Sequence, residues 1–289
     1  MYKIGFVGLG AMGRGICHNL IEAGNELRVF DLSPEAMALF EGQATPCASA
    51  AETAEGSEII FLSLPNSRVV ESTVESIIEA GVEGKLIVDL STSDPTSTRA
   101  LHERLVGLGA NLLDTPLIAG PQEAWDKTLT IAVGGDEDVV EAHRDLFDMY
   151  CAGWDYVGPS GNGHLVKLAQ NWAGLLQAVL YAQIYPVMEH YGIPAETLYK
   201  VLDSEFFSNW FFRFYSQKYV DQDYRMDFAL ELALKDMTYM KKLCDDLKIP
   251  GFMLDGAIDL ARVTLKEAEP GERLDTSAVA RTMYRYCEE

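Results

Sequence analysis

Hydrophobic and polar positions follow two kinds of pattern in the first half of the chain. Short apolar runs are each followed by a stretch with helical periodicity, and this repeated order predicts a parallel sheet. Several runs are apolar at consecutive positions, which indicates strands that helices cover on both faces. The predicted strands are residues 3–7, 27–30, 58–64, 85–90, 110–114, 129–133 and 154–157.

A turn-rich segment at residues 158–163 separates this half from a second half whose periodicity is helical. We therefore expect one domain at residues 1–160 and another at residues 161–289. The second domain opens with a long helical pattern beginning at His164. Pro186 is expected to kink or end this helix, because proline lacks the backbone N–H that a helix interior needs.

Composition excludes several classes of function. The chain of 289 residues has 44 acidic and 23 basic side chains and a net charge of −21. Such a charge argues against a broad binding surface for nucleic acid or anionic lipid. No apolar stretch reaches the ~20 residues that span a bilayer, and no targeting signal is recognisable. The cysteines are odd in number and far apart, which predicts a cytoplasmic protein with neither disulfides nor a metal site.

A glycine motif supplies the first candidate site. The sequence Gly-Leu-Gly-Ala-Met-Gly starts at Gly8, directly after the first predicted strand and before a helical pattern. This is the context that the dinucleotide-binding fingerprint GxGxxG requires. Gly8 permits a tight turn, Gly10 lets the backbone approach a pyrophosphate, and Gly13 lets helix and strand pack closely. The helix N-terminus near Ala11 and Met12 offers unpaired N–H groups to an anion.

Asp31 is the second part of this site. It ends the second predicted strand, where NAD-binding domains carry an acidic residue that accepts hydrogen bonds from ribose hydroxyls. The acid repels a 2′-phosphate, and the next residue, Leu32, offers no charge to bind one. We therefore predict an α/β Rossmann N-terminal domain that binds NAD in preference to NADP, with an all-α C-terminal domain.

The chain resembles the β-hydroxyacid dehydrogenase family, which includes 3-hydroxyisobutyrate dehydrogenase and tartronate semialdehyde reductase and is related to 6-phosphogluconate dehydrogenase and the imine reductases. The motifs that carry the resemblance are GFVGLGAMG at 5–13, SLPNS at 63–67, VDLSTSDP at 88–95, DTP at 114–116, TLTIAVGG at 128–135, GNGHLVKLAQN at 161–171, ALKDM at 233–237 and DTSA at 275–278. The resemblance implies a small-molecule substrate in a cleft between the domains, and a homodimer or homotetramer.

The resemblance also places a catalytic lysine at Lys167 and a substrate-positioning asparagine at Asn171. Their spacing puts both side chains on one helix face. Gly163 and Gly174 lie near that face and are expected to leave room for a ligand, and His164 is one turn before the lysine. Burial and the helix N-terminus are expected to lower the lysine pKa from about 10.4, which suits a group that takes a proton in oxidation and returns it in reduction.

Further contacts are implied by the resemblance. The backbone of Leu64 and Pro65 lies near the cofactor, at the carboxyl edge of the sheet. Thr92 contacts the nicotinamide ribose or caps the next helix, and its neighbour Ser91 contacts the substrate. Lys235 contacts the cofactor from the helical domain or is a solvated surface lysine.

One segment departs from the family pattern. The family usually has a serine and two glycines that hold the substrate carboxylate after DTP, whereas this chain has Ile118, Ala119 and Gly120. An isoleucine side chain cannot hydrogen-bond a carboxylate, whereas backbone N–H groups of the loop still can, so anion recognition by this loop is weakened and not excluded.

Aromatic residues gather around the expected substrate position. Trp125, Trp172 and the segment FFSNWFFRFY at 206–215 predict a larger or more apolar substrate than glycerate, unless these rings belong to a core or a subunit interface. Arg213 or Lys127 is the candidate to replace the lost anion contact.

The predicted function is the NAD-dependent interconversion of a 3-hydroxy acid, or a related primary alcohol, and its semialdehyde, with Lys167 as general acid and base. Two alternatives stay open. An imine reductase shares the fold but generally lacks the lysine, and a protein that binds NAD(H) without chemistry would need neither Lys167 nor Asn171.

Overall fold

A computed structural model describes residues 1–288 of the chain. The chain divides into two compact units, residues 1–167 and a second unit that starts at Leu168, so the division falls inside a long helix. The boundary predicted after residue 160 lies in the turn before that helix and stays a prediction. Within the described residues, no helix is long and apolar enough to cross a membrane.

Six strands of the first unit form a parallel sheet. They are β1 (Lys3–Val7), β2 (Glu26–Phe30), β3 (Thr45–Pro46), β4 (Ile59–Leu62), β5 (Leu86–Asp89) and β6 (Asn111–Asp114). Their order is β3-β2-β1-β4-β5-β6, so the direction of winding reverses between β1 and β4. This is the Rossmann order, which confirms the predicted fold class, and such sheets bind ligands at the carboxyl ends of strands beside the reversal.

The remaining strands of this unit do not extend that sheet. β7 (Leu117–Ile118), β8 (Thr130–Val133) and β9 (Gly153–Tyr156) form a separate sheet, in which β7 is antiparallel to β8 and β8 is parallel to β9. The expectation of one parallel sheet is therefore wrong for residues 129–157. The two residues of β7 are too few to give a periodic signal in the sequence.

The first unit also contains helices. They are α1 (Gly13–Glu22), α2 (Pro34–Ala38), α3 (Ala50–Ala54), α4 (Ser67–Ala80), α5 (Pro95–Gly107), α6 (Pro121–Trp125), α7 (Glu137–Ala142) and α8 (Arg144–Phe147). The side chains of Asn66 and Asp94 cap α4 and α5 by accepting hydrogen bonds from backbone N–H groups of the first turn. Because Asp94 caps α5, the alternative role of Thr92 as a helix cap is wrong.

Side chains from both faces of the parallel sheet are buried. Ile4 and Phe6 of β1 belong to one core cluster, whereas Val7 belongs to another. All four residues of β4 and of β5 are buried. The continuous apolar runs of the sequence thus correspond to central strands, as predicted.

The second unit is helical. It contains most of α9 (Asn162–His190), then α10 (Ala195–Leu202), α11 (Trp210–Asp221), α12 (Leu230–Asp246), α13 (Phe252–Glu267) and α14 (Val279–Glu288), with a 3-10 helix at Thr276–Ala278 before α14. α9 continues past Pro186, so the helix does not end there. Ala182 and Tyr185 in the preceding turn are fully buried, and this packing offsets the hydrogen bond that the proline removes.

A buried ion pair ties the end of the second unit to its middle. Nζ of Lys218 on α11 lies 3.0 Å from Oδ1 of Asp275, and both side chains are buried. Oδ2 of Asp275 accepts hydrogen bonds from the N–H groups of Asp227 and Phe228 at 2.9 and 2.8 Å. One carboxylate therefore joins α11, the approach to α12 and the segment before α14.

Candidate active site

The glycine loop between β1 and α1 has the geometry of a phosphate-binding turn. Gly8 has a φ of +97°, and a Cβ built on it would lie 2.2 Å from the carbonyl oxygen of Ser63. A Cβ on Gly13 would lie 2.1 Å from the carbonyl oxygen of Gly8. Neither position accepts a side chain, whereas a Cβ on Gly10 would meet no atom within 4 Å. The backbone at Gly10 is thus open to a ligand.

The start of α1 favours an anion. Met12 stands at the N-cap and forms no side-chain cap hydrogen bond, and the first turn has no acidic residue. The N–H groups of this turn and the positive end of the helix dipole suit a pyrophosphate. The residues present, including the exposed Ala11, therefore fit the phosphate part of a dinucleotide.

Asp31 lies beside the glycine loop. Its Oδ2 accepts a 2.6 Å hydrogen bond from the N–H of Leu9, and its Oδ1 accepts a 2.8 Å bond from the N–H of Ser33. Each carboxylate oxygen retains a second lone pair. Asp31 thus shapes the loop and still offers acceptors to ribose hydroxyls.

The carboxyl ends of β4 and β5 bring four predicted site residues together. Oγ of Ser91 accepts a 2.9 Å hydrogen bond from the N–H of Leu64, and the N–H of Ser91 donates a 2.9 Å bond to Oδ1 of Asp89. Asp89 is buried. This carboxylate orders the segment that carries Ser91 and Thr92, and Ser91 in turn holds the turn at Leu64 and Pro65.

Asp114 fixes the start of α9 to the same edge of the sheet. It ends β6, and its carboxylate accepts hydrogen bonds from the N–H groups of Gly161 at 2.7 Å and His164 at 3.0 Å. Lys167 follows one turn later and is half-buried. The first turns of α9 and the glycine loop after β1 thus lie at the carboxyl ends of strands in one sheet.

Two glycines of α9 serve packing and do not leave room for a ligand, contrary to the expectation from sequence. A Cβ on Gly163 would lie 2.4 Å from the carbonyl oxygen of Asp114. A Cβ on Gly174 would lie 2.4 Å from the ring of Phe211 on α11. Both glycines are explained by the close approach of a neighbouring element.

Asn171 is oriented by a buried acid. It lies one turn after Lys167 on α9, and its amide donates a 2.7 Å hydrogen bond to Oδ2 of Asp236 on α12. Oδ1 of Asp236 lies 3.1 Å from Nζ of Lys235. The Lys235 side chain is only 16% exposed, and its Nζ lies 5.5 Å from the centre of the Tyr239 ring. The alternative of a solvated surface lysine at this position is therefore wrong.

The segment that follows β7 has an unusual backbone. Ala119 has a φ of +150° and Lys127 a φ of +59°, and both values lie in the region that favours glycine. Ile118 is half-buried. The N–H of Gly120 donates a 3.1 Å hydrogen bond to Oε2 of Glu123. The carboxylate of Glu123 thus accepts a hydrogen bond from a backbone N–H that was expected to be available to a substrate carboxylate.

Trp125 packs against α1. Its ring stacks on His18 with 4.4 Å between the ring centroids, and Nδ2 of Asn19 donates a 2.8 Å hydrogen bond to the carbonyl oxygen of Ala124. A Cβ on Gly15 would lie 2.7 Å from the backbone of Ala124. The short helix α6 therefore packs directly against the helix that follows the glycine loop.

Arg213, a candidate anion contact, has other partners. Its Nε donates a 2.8 Å hydrogen bond to Asp203, and its Nη2 donates a 2.8 Å bond to Ser208. The guanidinium of Arg213, which was a candidate to replace the anion contact of the missing serine, is thus already paired within the second unit. Trp172 is half-buried and packs against the core of that unit, while Lys127 is exposed.

Comparison with protein families covers nearly the whole chain. Residues 3–158 match the NAD binding domain of 6-phosphogluconate dehydrogenase, and residues 161–283 match the NAD-binding domain of NADP-dependent 3-hydroxyisobutyrate dehydrogenase. The first match alone spans more than half of the chain. The chain belongs to the β-hydroxyacid dehydrogenase family.

This membership confirms the family, the enzyme class and the nicotinamide cofactor that the sequence predicts. The protein is an NAD(P)-dependent dehydrogenase or reductase of the hydroxyacid class. The 2-hydroxy-3-oxopropionate reductase of Escherichia coli is 29% identical over 238 residues, which are 81% of this chain and 82% of that protein.

Solved structures of related proteins have the same fold as this chain. A 3-hydroxyisobutyrate dehydrogenase of Mycobacterium tuberculosis with L-serine superposes with a TM-score of 0.86 at 25% identity, covering 98% of this chain and 99% of that one. An imine reductase of Bacillus cereus has a TM-score of 0.63 at 20% identity, covering 96% and 98% of the two chains. The second likeness shows a shared fold alone.

Sequence reasoning on this dehydrogenase missed two residues of the site. Asp89 orders the segment at Ser91, and its signal is a single carboxylate within the apolar run LIVDL. Glu123 takes the N–H of Gly120, and its signal is an acid at the third position of a helix that begins with proline.

Proposed function

We propose that this β-hydroxyacid dehydrogenase interconverts a 3-hydroxy acid, or a related primary alcohol, and its semialdehyde, with Lys167 as general acid and base. The observation that carries the proposal is the attachment of α9 to Asp114. It brings the first turns of the helix that bears Lys167 to the sheet edge at which the glycine loop leaves β1.

The glycine loop from Gly8 to Gly13 and the carboxylate of Asp31 would hold the cofactor, and the backbone of Leu64 and Pro65 and the hydroxyl of Thr92 would complete its site. When bound, a nicotinamide supplies a hydride acceptor or donor. We propose NAD in preference to NADP, since Asp31 places a negative charge where a 2′-phosphate would lie. The cofactor contact of Lys235 stays a prediction.

The proton steps belong to residues of α9. Nζ of Lys167 takes the hydroxyl proton in oxidation and, as the ammonium, returns it to the alkoxide in reduction. Asn171 gives one amide hydrogen to Asp236. Its amide oxygen and second N–H then remain to orient the substrate hydroxyl toward Lys167.

The test is the substitution Lys167→Ala, assayed with NAD across 3-hydroxy acids and primary alcohols. Loss of the general base should lower kcat by about 10²- to 10⁴-fold while the Kd for NADH stays within twofold. Lys200→Ala, at an exposed lysine of α10, is the matched control and should keep wild-type rates.

A Lys167→Ala variant with wild-type kcat would refute the role of the lysine. NADH binding without turnover of any alcohol or aldehyde would favour a non-catalytic protein. Reduction of cyclic imines with no activity on alcohols would favour an imine reductase.

We further propose that the protein is a homodimer or homotetramer of the cytoplasm. Trp210 and Phe252 of the second unit are 64% and 82% exposed, and large aromatic rings at a surface favour burial against another copy. The five cysteines are free thiols, four of them buried, which fits a reducing compartment. Light scattering after size-exclusion chromatography would measure the mass, and a monomer would contradict the assembly.

A further inference from the structure

The N–H of Asp31 lies beyond the hydrogen bonds of the parallel sheet. Pairing of β2 with β1 ends where Phe30 lies opposite Val7, and pairing of β2 with β3 ends at Val29. The backbone N–H of Asp31 instead donates a 3.1 Å hydrogen bond to Sδ of Met37 on α2. The sulfur of a methionine thus accepts a hydrogen bond that a neighbouring strand would otherwise accept.

Met37 is held in this position from two sides. Its own N–H donates a 3.1 Å hydrogen bond to the carbonyl oxygen of Ser33, the residue that caps α2. Its side chain is half-buried and packs against the core cluster that includes Val29 and Phe40. Packing therefore confines a side chain that is otherwise flexible, and the sulfur stays at the N–H of Asp31.

The two ends of Asp31 are fixed by different groups. Met37 holds the backbone N–H. Leu9 and Ser33 hold the carboxylate through their own N–H groups, at 2.6 and 2.8 Å. Without the sulfur, the partly buried N–H of Asp31 would lose its acceptor, and the backbone would turn toward water. The carboxylate would then shift relative to the glycine loop, because the side chain starts from that backbone.

We propose that Met37 is a positioning residue for Asp31 and a determinant of cofactor preference. A carboxylate held in one place accepts hydrogen bonds from ribose hydroxyls and repels a 2′-phosphate, and both effects depend on distance. The direction of the preference rests on the proposed function, whereas the coupling of Met37 to Asp31 rests on the hydrogen bond between them.

The test compares Met37→Leu with Met37→Gln by titration of the whole protein with NADH and with NADPH. Leucine keeps the volume but accepts no hydrogen bond, so the Kd for NADH should rise about three- to tenfold while that for NADPH stays within twofold. Glutamine has a similar length and a carbonyl oxygen for the same N–H, so Met37→Gln should keep the Kd for NADH within twofold of wild type. The reverse order would overturn the proposal, because a packing role favours leucine over glutamine.

Steady-state kinetics separate positioning from a general loss of structure. In Met37→Leu the KM for NAD should rise without a fall in kcat, since Asp31 acts on the adenosine ribose and not on the nicotinamide. A fall in kcat with an unchanged KM would overturn the proposal. Met149→Leu is the matched control, because Met149 is half-buried against the same core cluster and its Sδ accepts a 3.3 Å hydrogen bond from Nδ2 of Asn25. This variant should change neither Kd.

A double-mutant cycle shows whether Met37 acts through Asp31. In the Asp31→Asn background, Met37→Leu should change the Kd for NADH by less than twofold, because the charge that the sulfur positions is gone. An equal fold-change in both backgrounds would overturn the positioning role. If the wild type binds NADPH more tightly than NADH, the proposed cofactor preference fails, and this cycle still decides the role of Met37.

Discussion

The side-chain amide of Asn171 donates a 2.7 Å hydrogen bond to Asp236, a buried carboxylate on α12. A carboxylate only accepts hydrogen bonds, so it fixes the amide nitrogen toward α12 and leaves the amide oxygen for a substrate hydroxyl. In Asp236→Asn the new side-chain amide can donate as well as accept, so the amide of Asn171 can adopt either of its two orientations. We expect kcat to fall by about 10- to 100-fold through lost orientation.

Asp246→Asn is the control for this prediction. Asp246 lies on the same helix, is exposed and pairs with Lys242 at 3.4 Å. Its substitution removes the same charge from α12 without touching Asn171. Equal kcat values for the two variants would contradict the orienting role of Asp236.

Asp31 should decide the choice of cofactor. Asp31→Asn keeps one acceptor for the N–H of Leu9 or Ser33 but removes the negative charge and half of the acceptor set. The ratio of kcat/KM for NAD to that for NADP should fall by about tenfold or more, as a hydrogen bond to a charged group is lost. Glu35→Gln, one turn away on α2 and exposed, should leave the ratio unchanged. A wild-type ratio in Asp31→Asn would be incompatible with this assignment.

Glu123 should disfavour anionic substrates. A substrate carboxylate at the loop would compete with Glu123 for the N–H of Gly120 and approach a like charge, which costs about 1 to 4 kcal/mol at 4 Å. Glu123→Gln keeps an oxygen for this N–H and removes the charge. We expect kcat/KM to rise about tenfold for 3-hydroxypropionate, fall for 3-amino-1-propanol and stay constant for 1,3-propanediol.

The three alcohols share a carbon chain and differ at the end group, so the comparison isolates charge. Asp126→Asn removes a charge from the end of the same helix, where Asp126 accepts a hydrogen bond from Gln122, and should change none of the three values. A uniform change across the alcohols in Glu123→Gln would show that Glu123 acts as a helix cap alone.

Asp275 should make the second unit sensitive to acid. Burial opposes its ionisation, but hydrogen bonds from Ser277, Phe228 and Asp227 outweigh burial and hold the pKa of Asp275 below its usual value. A carboxyl with a lowered pKa stabilises the fold above the unfolded pKa of about 3.9, and this stability is lost as the pH falls through the folded pKa.

The substitution Asp275→Asn removes one of two carboxylates from the buried ammonium of Lys218, whose other ion-pair partner is Asp227 at 2.7 Å. At pH 7 the free energy of unfolding should fall by about 1.5 to 3 kcal/mol, the contribution of a hydrogen bond to a charged group. Chemical denaturation at pH 7 and at pH 3 measures the loss, which should shrink at the lower pH. Asp259→Asn, an exposed acid of α13, should be neutral. A loss of equal size at both pH values would contradict the assigned ionisation.

Local patterns were sufficient to predict the parts of the fold that form from neighbouring residues. β1, the glycine loop and α1 follow one another directly, so an apolar run, three glycines and a helical pattern define them together. The sheet with helices on both faces followed from consecutive apolar positions, because a strand buried on both sides has no polar face. The roles of Lys167 and Asn171 came from the resemblance and stay predictions.

Contacts between segments that are distant in the chain could not be predicted from the sequence. The neighbours of His164 come from β5, β6 and α5, and no spacing relates these segments. Gly174 was expected to leave space because its sequence neighbours carry the candidate residues, yet Phe211 of another helix fills that space. The hydrogen bond between Gly120 and Glu123 is local and could be predicted from the sequence. The prediction for this loop considered only the serine that the family usually has there.

The backbone contact between Gly15 and Ala124 has a consequence for redesign. Since α1 and α6 approach each other backbone to backbone at Gly15 and Ala124, the helix beside the cofactor loop is in direct contact with the segment that bears Glu123 and Trp125. Replacing Trp125 removes the ring that stacks on His18 of α1. We therefore expect a substitution of Trp125 to change the affinity for the cofactor as well.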